Sequence, residues 1–173
     1  EVGGGQIDDA EFCHEEGALS FPDVHDSNSF LEALSEIRSK LVGEFDEVNE
    51  ETVKELVRLQ IAAGLTVEAT ATISELMSDT VQSRLYADIS SLLDGKSIHM
   101  GSSLRNEECG DDQTLWLAFL NAREGHHDKA LAAEAMTGRA LERLPSYLRE
   151  IVSTALGVSS SEQGDWEKAR LME

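Results

Sequence analysis

Along most of this chain apolar residues return at spacings of three and four, and short polar clusters interrupt them at intervals that suit helical hairpins. The first run, Phe30, Leu31, Leu34, Ile37 and Leu41, predicts a helix capped by Ser27 or Asn28. Asn49 is placed to cap a second helix, and Glu50 and Glu51 in its first turn suit the helix dipole. Its apolar set is Val53, Leu56, Val57, Leu59 and Ile61, and Gly64 ends it. Thr66 stands where a cap for a third helix over 67–77 belongs, with Ala69, Ile73 and Leu76 inward. A fourth runs from about Asp79 to Leu93. Residues 94–112 break the rhythm with turn chemistry: Asp94-Gly95, Gly101-Ser102-Ser103 and Cys109-Gly110. Periodicity returns over 113–124 and again over 127–143. Pro145 then opens another helix, residues 157–163 form a break, and a last helix begins at Gly164-Asp165-Trp166.

The expected fold is all-α, an α-solenoid of about eight antiparallel helices. Residues 1–28 read as an irregular acidic segment, 29–93 as helical hairpins, 94–112 as a long loop and 113–173 as further hairpins, with 29–173 one structural domain. Abundant Ala and Leu, few aromatics and only two prolines favour helix over sheet. The chain opens without Met and stops inside a predicted helix, which leads to the expectation of an excerpt from a larger protein.

A small pattern recurs within the periodicity. Gly64, Gly125 and Gly164 each have Leu eight residues before (Leu56, Leu117, Leu156) and Ala five residues after (Ala69, Ala130, Ala169). Ala lets two helix backbones approach closely, and Leu fills the adjacent groove. The glycines stand 61 and then 39 residues apart, so the repeat is uneven.

On these residues the chain resembles the tetratricopeptide repeat family. The nearest match is Leu156-Gly157 followed by Gly164-Asp165-Trp166-Glu167-Lys168-Ala169. Next come Leu117-Ala118 with Gly125 to Ala130 and Pro145 closing the unit, then Leu56-Val57 with Gly64 to Ala69. The chain departs from the family in lacking the large aromatic early in the first helix, although Trp116 lies nearby, and in its inconstant period. The resemblance covers 49–77 and 113–173, and extends more loosely to bacterial envelope proteins with degenerate repeats. It implies a scaffold whose concave face holds a peptide or a partner surface. Lys54, Arg58, Asn121 and Arg149, on the first helices of the hairpins, are the partner-binding candidates; a plain solvated surface role is the alternative for each.

Charge narrows the partners. Fourteen basic against 34 acidic residues leave a formal net charge of −20, which repels phosphate backbones and anionic lipid. Nucleic acid is therefore not expected, and no apolar run reaches the roughly 20 residues needed to span a bilayer. Basic proteins, basic peptides and cations are left; a protein or peptide partner is expected, with a homodimer as a further possibility.

Chemistry-bearing motifs are sparse. Cys13 and Cys109 both lie in irregular acidic segments, and two readings stand: a disulfide joining the N-terminal tail to the long loop, or two unrelated reduced thiols. A bridge implies an oxidising compartment and hence a periplasmic or cell-envelope location; the alternative is cytoplasmic. Cys13-His14-Glu15-Glu16 and His126-His127-Asp128 lack the paired spacing of a structural zinc site and read as polar turn residues. No nucleophile elbow and no phosphate-binding glycine loop occurs. Trp116 and Trp166 read as core. No catalytic, cofactor or metal residue is assigned. The expected function is a non-enzymatic helical-repeat scaffold for protein–protein interaction within a larger bacterial protein. The alternatives are a helical-stack small-ligand or lytic enzyme domain and a structural self-association module.

Overall fold

The structure, a computed structural model, describes residues 8–41, 48–134 and 137–164. It is all-α, with eight α-helices among the described residues: α1 (Ser27–Leu41), α2 (Glu50–Ala62), α3 (Thr66–Leu76), α4 (Val81–Leu93), α5 (Asp111–Arg123), α6 (His127–Glu134), α7 (Gly138–Arg143) and α8 (Ser146–Glu162). A single 3-10 turn, Ser103–Arg105, lies between α4 and α5. Consecutive helices pack in pairs, α2 on α3, α3 on α4 and α5 on α6, while α8 lies on both α5 and α6.

The glycine pattern has a common structural cause. Gly64, Gly125 and Gly164 have φ of +76°, +78° and +78°, a region that L side chains enter only at a cost. Each ends its helix in the same way. The amide of Gly64 donates to Ile61 O (3.0 Å), that of Gly125 to Ala122 O (3.2 Å) and that of Gly164 to Ser161 O (3.0 Å). One residue on, Leu65 donates to Gln60 O and His126 to Asn121 O, both at 2.8 Å. At Gly64 and Gly125 the two bonds make Schellman turns, which satisfy carbonyls the ended helix would leave bare. Five residues past the first two glycines, Ala69 and Ala130 are fully buried, and Leu56, Leu117 and Leu156 are buried as well. Ala169 and Trp166 lie outside the described residues.

Several boundaries differ from the sequence expectation. Asp26, not Ser27 or Asn28, caps α1: its carboxylate accepts from the Ser29 amide (2.8 Å) and the Ser29 hydroxyl accepts from the Asp26 amide (3.1 Å). Thr66 is the first residue of α3 rather than its cap, and its hydroxyl donates to Asp94. Asn49 does cap α2, through Thr52 N. The expected helix over 127–143 is two helices, α6 and α7. The expected break over 157–163 is helix as far as Glu162, since burial of Ser159 and Ser160 keeps that turn packed; the Ser159 and Ser161 hydroxyls donate back to Ala155 O and Gly157 O. The eighth expected helix, from Gly164, lies outside the described residues.

The loop between α4 and α5 is two residues shorter than expected, since Asp111 and Asp112 form the first turn of α5, where the dipole favours them. It is also packed. Leu104 is fully buried, Ser102 donates to the half-buried Asp88 carboxylate, and Arg105 donates to Ile98 O, His99 O and both oxygens of Glu124. Its 3-10 turn touches both α4 and α5 and so joins the two halves of the fold. Tyr147, at the start of α8, lies against Gly64: a Cβ there would stand 2.7 Å from its ring.

Candidate functional site

Residues 8–26 have no regular structure, yet they are not loose. Gly17 takes φ +90° and Pro22 cannot donate, so the stretch makes short turns and extended runs rather than a helix. An extended run presents its main-chain groups sideways, and they must find partners where the chain is buried. Here the helices supply them. Along the stretch the contacts fall on α4 (Asp9), α5 (Phe12 and His14), α2 (Gly17), α4 (Ala18) and α5 (Phe21), so it lies in a trough lined by these three helices.

Side chains from α2, α4 and α5 bond its backbone. Arg58 of α2 donates from Nη1 to Gly17 O at 3.0 Å. Tyr86 of α4 donates its hydroxyl to Ala18 O at 2.9 Å. Gln113 of α5, only 3% exposed, donates to Phe12 O (3.2 Å) and accepts from His14 N (3.2 Å). Burial pushes the Tyr86 phenol above its ordinary range, which keeps its proton on as a donor. Gln82 supports it by donating to the same oxygen at 3.0 Å.

Two apolar side chains sit between these polar contacts. Leu19 and Phe21 are each 7% exposed and belong to the main hydrophobic cluster. Phe21 meets Trp116 edge-on with ring centroids 5.7 Å apart, and Trp116 meets Phe119 at 5.9 Å.

The N-terminal end is fixed by charge and by a covalent bond. Asp9, nearly buried, takes a bidentate pair from Arg84 at 2.7 and 3.2 Å, and its amide donates to Gly101 O at 2.8 Å. Cys13 and Cys109 form a disulfide, with Cα atoms 5.4 Å apart. The imidazole of His14 shares a 2.7 Å hydrogen bond with Ser103. Burial lowers its pKa against the pull of Asp9, so the neutral ring is favoured.

The four residues singled out as partner contacts fare differently. Arg58 is committed to Gly17 O, and Lys54 pairs with Glu51 at 2.6 Å beside the Tyr86 phenol. Asn121 is 8% exposed and belongs to the buried face of α5, not to an open concave surface. Arg149 is exposed on α8, and no hydrogen bond joins it or Asn121 to residues 8–26. Reading the sequence missed Tyr86, Arg84, Gln113, Leu19 and Phe21. The available signal was Leu19-Ser20-Phe21, an apolar alternation too short to stand out.

Of the two adjacent histidines one joins helices together. His127 bonds Ser159 at 2.9 Å and ties α6 to α8, while His126 lies 3.7 Å from Glu124. Among the described residues no group of three or more His, Cys, Asp or Glu converges as a metal cage. No described helix is long and apolar enough to cross a membrane. A separate cleft of about 560 Å³ lies between the end of α5 and α8, lined by Ala122, Tyr147, Ile151, Ala155 and Val158. No family model, no curated protein and no solved structure matches this chain.

Proposed function

We propose that this chain is a non-enzymatic scaffold of tetratricopeptide-like hairpins that holds protein partners by gripping main chain that has no regular structure, and that it works in an oxidising compartment such as a bacterial cell envelope. One observation carries this reading: Arg58, Tyr86 and Gln113, from three different helices, all bond the backbone of one irregular segment of turns and short runs. A surface that satisfies main-chain groups accepts many sequences, and its apolar pockets then select among them. The Cys13–Cys109 bridge supports the compartment, because such bonds persist where thiols are not kept reduced.

A displayed library of random peptides, panned against the chain with and without reductant, tests the scaffold. Convergence on a motif with alternating apolar positions, lost in Arg58→Met and Gln113→Leu, is the expected result. Failure to converge in either condition contradicts it.

A further inference from the structure

Negative charge gathers around the one covalent crosslink. Within three residues of Cys13 stand Glu11, Glu15 and Glu16, and within three of Cys109 stand Glu107, Glu108, Asp111 and Asp112. Seven of these twelve neighbours are acidic, against 34 of 173 along the chain, and none is Lys or Arg. The fold keeps them together: Glu15, Glu16, Asp111 and Asp112 line one cleft with His14 and Gly110, the residues next to the two cysteines. Arg143, the cation on that cleft, is paired with Asp112 at 2.6 Å. The other six carboxylates make no salt bridge among the described residues. His14 adds no positive charge at neutral pH, since burial lowers its pKa. We propose that the Cys13–Cys109 bridge is a thiol-exchange site selective for positively charged thiols, opened by a partner protein's cysteines set among Lys or Arg and shielded from anionic thiols by the carboxylates around it.

Only a thiolate opens a disulfide, and a thiolate is an anion. A negative field lowers its local concentration in proportion to its net charge. Lysines beside the thiolate reverse that sign and turn repulsion into attraction. Cys13 is exposed and Cys109 half-buried, so attack falls on the Cys13 sulfur. The partner's thiolate bonds to that sulfur, the bridge breaks, and Cys109 leaves as thiolate and takes a proton from water. A second thiolate of the partner then attacks the partner's own sulfur in the mixed disulfide. Cys13 leaves as thiolate, with the Asn106 side-chain amide 3.5 Å away to donate to it, and is protonated in turn. Two protons pass from the partner's thiols to water and two from water to the cysteines. The partner is oxidised to a disulfide, and the bridge is reduced to two thiols.

Two synthetic peptides serve as probes, identical except that a single Cys is flanked by lysines in one and by glutamates in the other. Cysteamine and glutathione are the small cationic and anionic arms. Opening of the full oxidised chain is timed by alkylation and mass spectrometry. Each rate is taken per thiolate and divided by that on a cyclic disulfide peptide with neutral flanks, which removes differences in intrinsic thiol reactivity. At about 0.01 M salt, where charges act over about 30 Å, the Lys peptide should outpace the Glu peptide at least tenfold. At about 1 M salt, where the reach is about 3 Å, the ratio should fall to within about twofold. A chain with Glu11→Gln, Glu15→Gln, Glu16→Gln, Glu107→Gln and Glu108→Gln, all exposed positions, should lose most of the low-salt preference. A low-salt ratio within twofold, a ratio that salt leaves unchanged, or full preference in the Gln variant overturns the proposal. Preference for cysteamine over glutathione without one for the Lys peptide overturns the partner's cysteine as the source. The salt series on the unsubstituted chain decides the matter should the Gln variant fold poorly. Panning with random peptides does not read these rates, so the scaffold reading and this one fail separately.

Discussion

Replacing Phe21 by Ala in the oxidised chain probes the occupied trough most sharply. The ring is 7% exposed and stands edge-on to Trp116 at 5.7 Å. Removing a buried phenyl from the core forfeits about 1.5–3 kcal/mol of transfer free energy. The edge-on aromatic contact adds about 0.5–1.5 kcal/mol. Phenylalanine truncations in cores cost about 3–5 kcal/mol once the cavity is included. Phe21 sits on an irregular segment whose neighbours can close part of the gap, so a loss of about 3 kcal/mol is expected. With a urea dependence of about 2 kcal/mol per molar, the unfolding midpoint should fall by about 1.5 M, read by circular dichroism with the bridge intact. Phe12→Ala is the control: that ring belongs to the same segment but is 45% exposed, and its loss should stay within about 0.5 kcal/mol. A loss below about 1 kcal/mol at Phe21, or equal losses at both positions, would refute the placement of Leu19 and Phe21 in the core.

Other predictions concern turns, bridge and pH. Gly125→Ala places a Cβ at φ +78° with nothing within 4 Å, so it should cost about 1 kcal/mol of unfolding free energy from backbone strain alone. Gly64→Ala, where Tyr147 must also swing aside, should cost more in the same denaturation assay, and equal costs would deny that contact. Reducing the bridge frees a loop of 96 residues. The chain-entropy model gives a loss of up to about 4.7 kcal/mol, seen as a lower urea midpoint with reductant than without. His14 has a pKa held below its ordinary value near 6.5 by burial, so the unfolded chain binds its proton more readily. Its contribution is whole above pH 6.5 and is lost as pH falls through the lowered value. His14→Gln should flatten that part of the stability profile, and an unchanged slope would contradict the buried site.

Much of the helical framework is legible in the residues. Gly64, Gly125 and Gly164 announce their turns because only glycine enters positive φ cheaply, and Ala69 and Ala130 follow where a helix pair closes. Asn49 caps α2 for a similarly local reason, and Leu56, Leu117 and Leu156 are buried. Gly95 makes the same turn, with Lys96 donating to Ser91 O at 2.9 Å. Read as part of the turn chemistry of 94–112, it stands outside the recurring Leu, Gly and Ala pattern because no helix follows it at once. The apolar face of α1 is periodic but not buried, and Leu31 is 58% exposed: periodicity reports amphipathicity, not a partner. The trough was illegible for a different reason. An extended segment of mixed acid, glycine and two apolar residues has no period, and the side chains that hold it, Arg58, Tyr86 and Gln113, are single residues on three separate helices. Only tertiary structure brings them together.

The contact between Phe21 and Trp116 is the point on which the account turns, and proton NMR of the oxidised chain reads it directly. Nuclear Overhauser cross-peaks between the Phe21 ring and the Trp116 indole, and between Ala18 and the Tyr86 ring, are the predicted result. A Phe21 ring with solvent-like shifts and no cross-peak to Trp116 would contradict it.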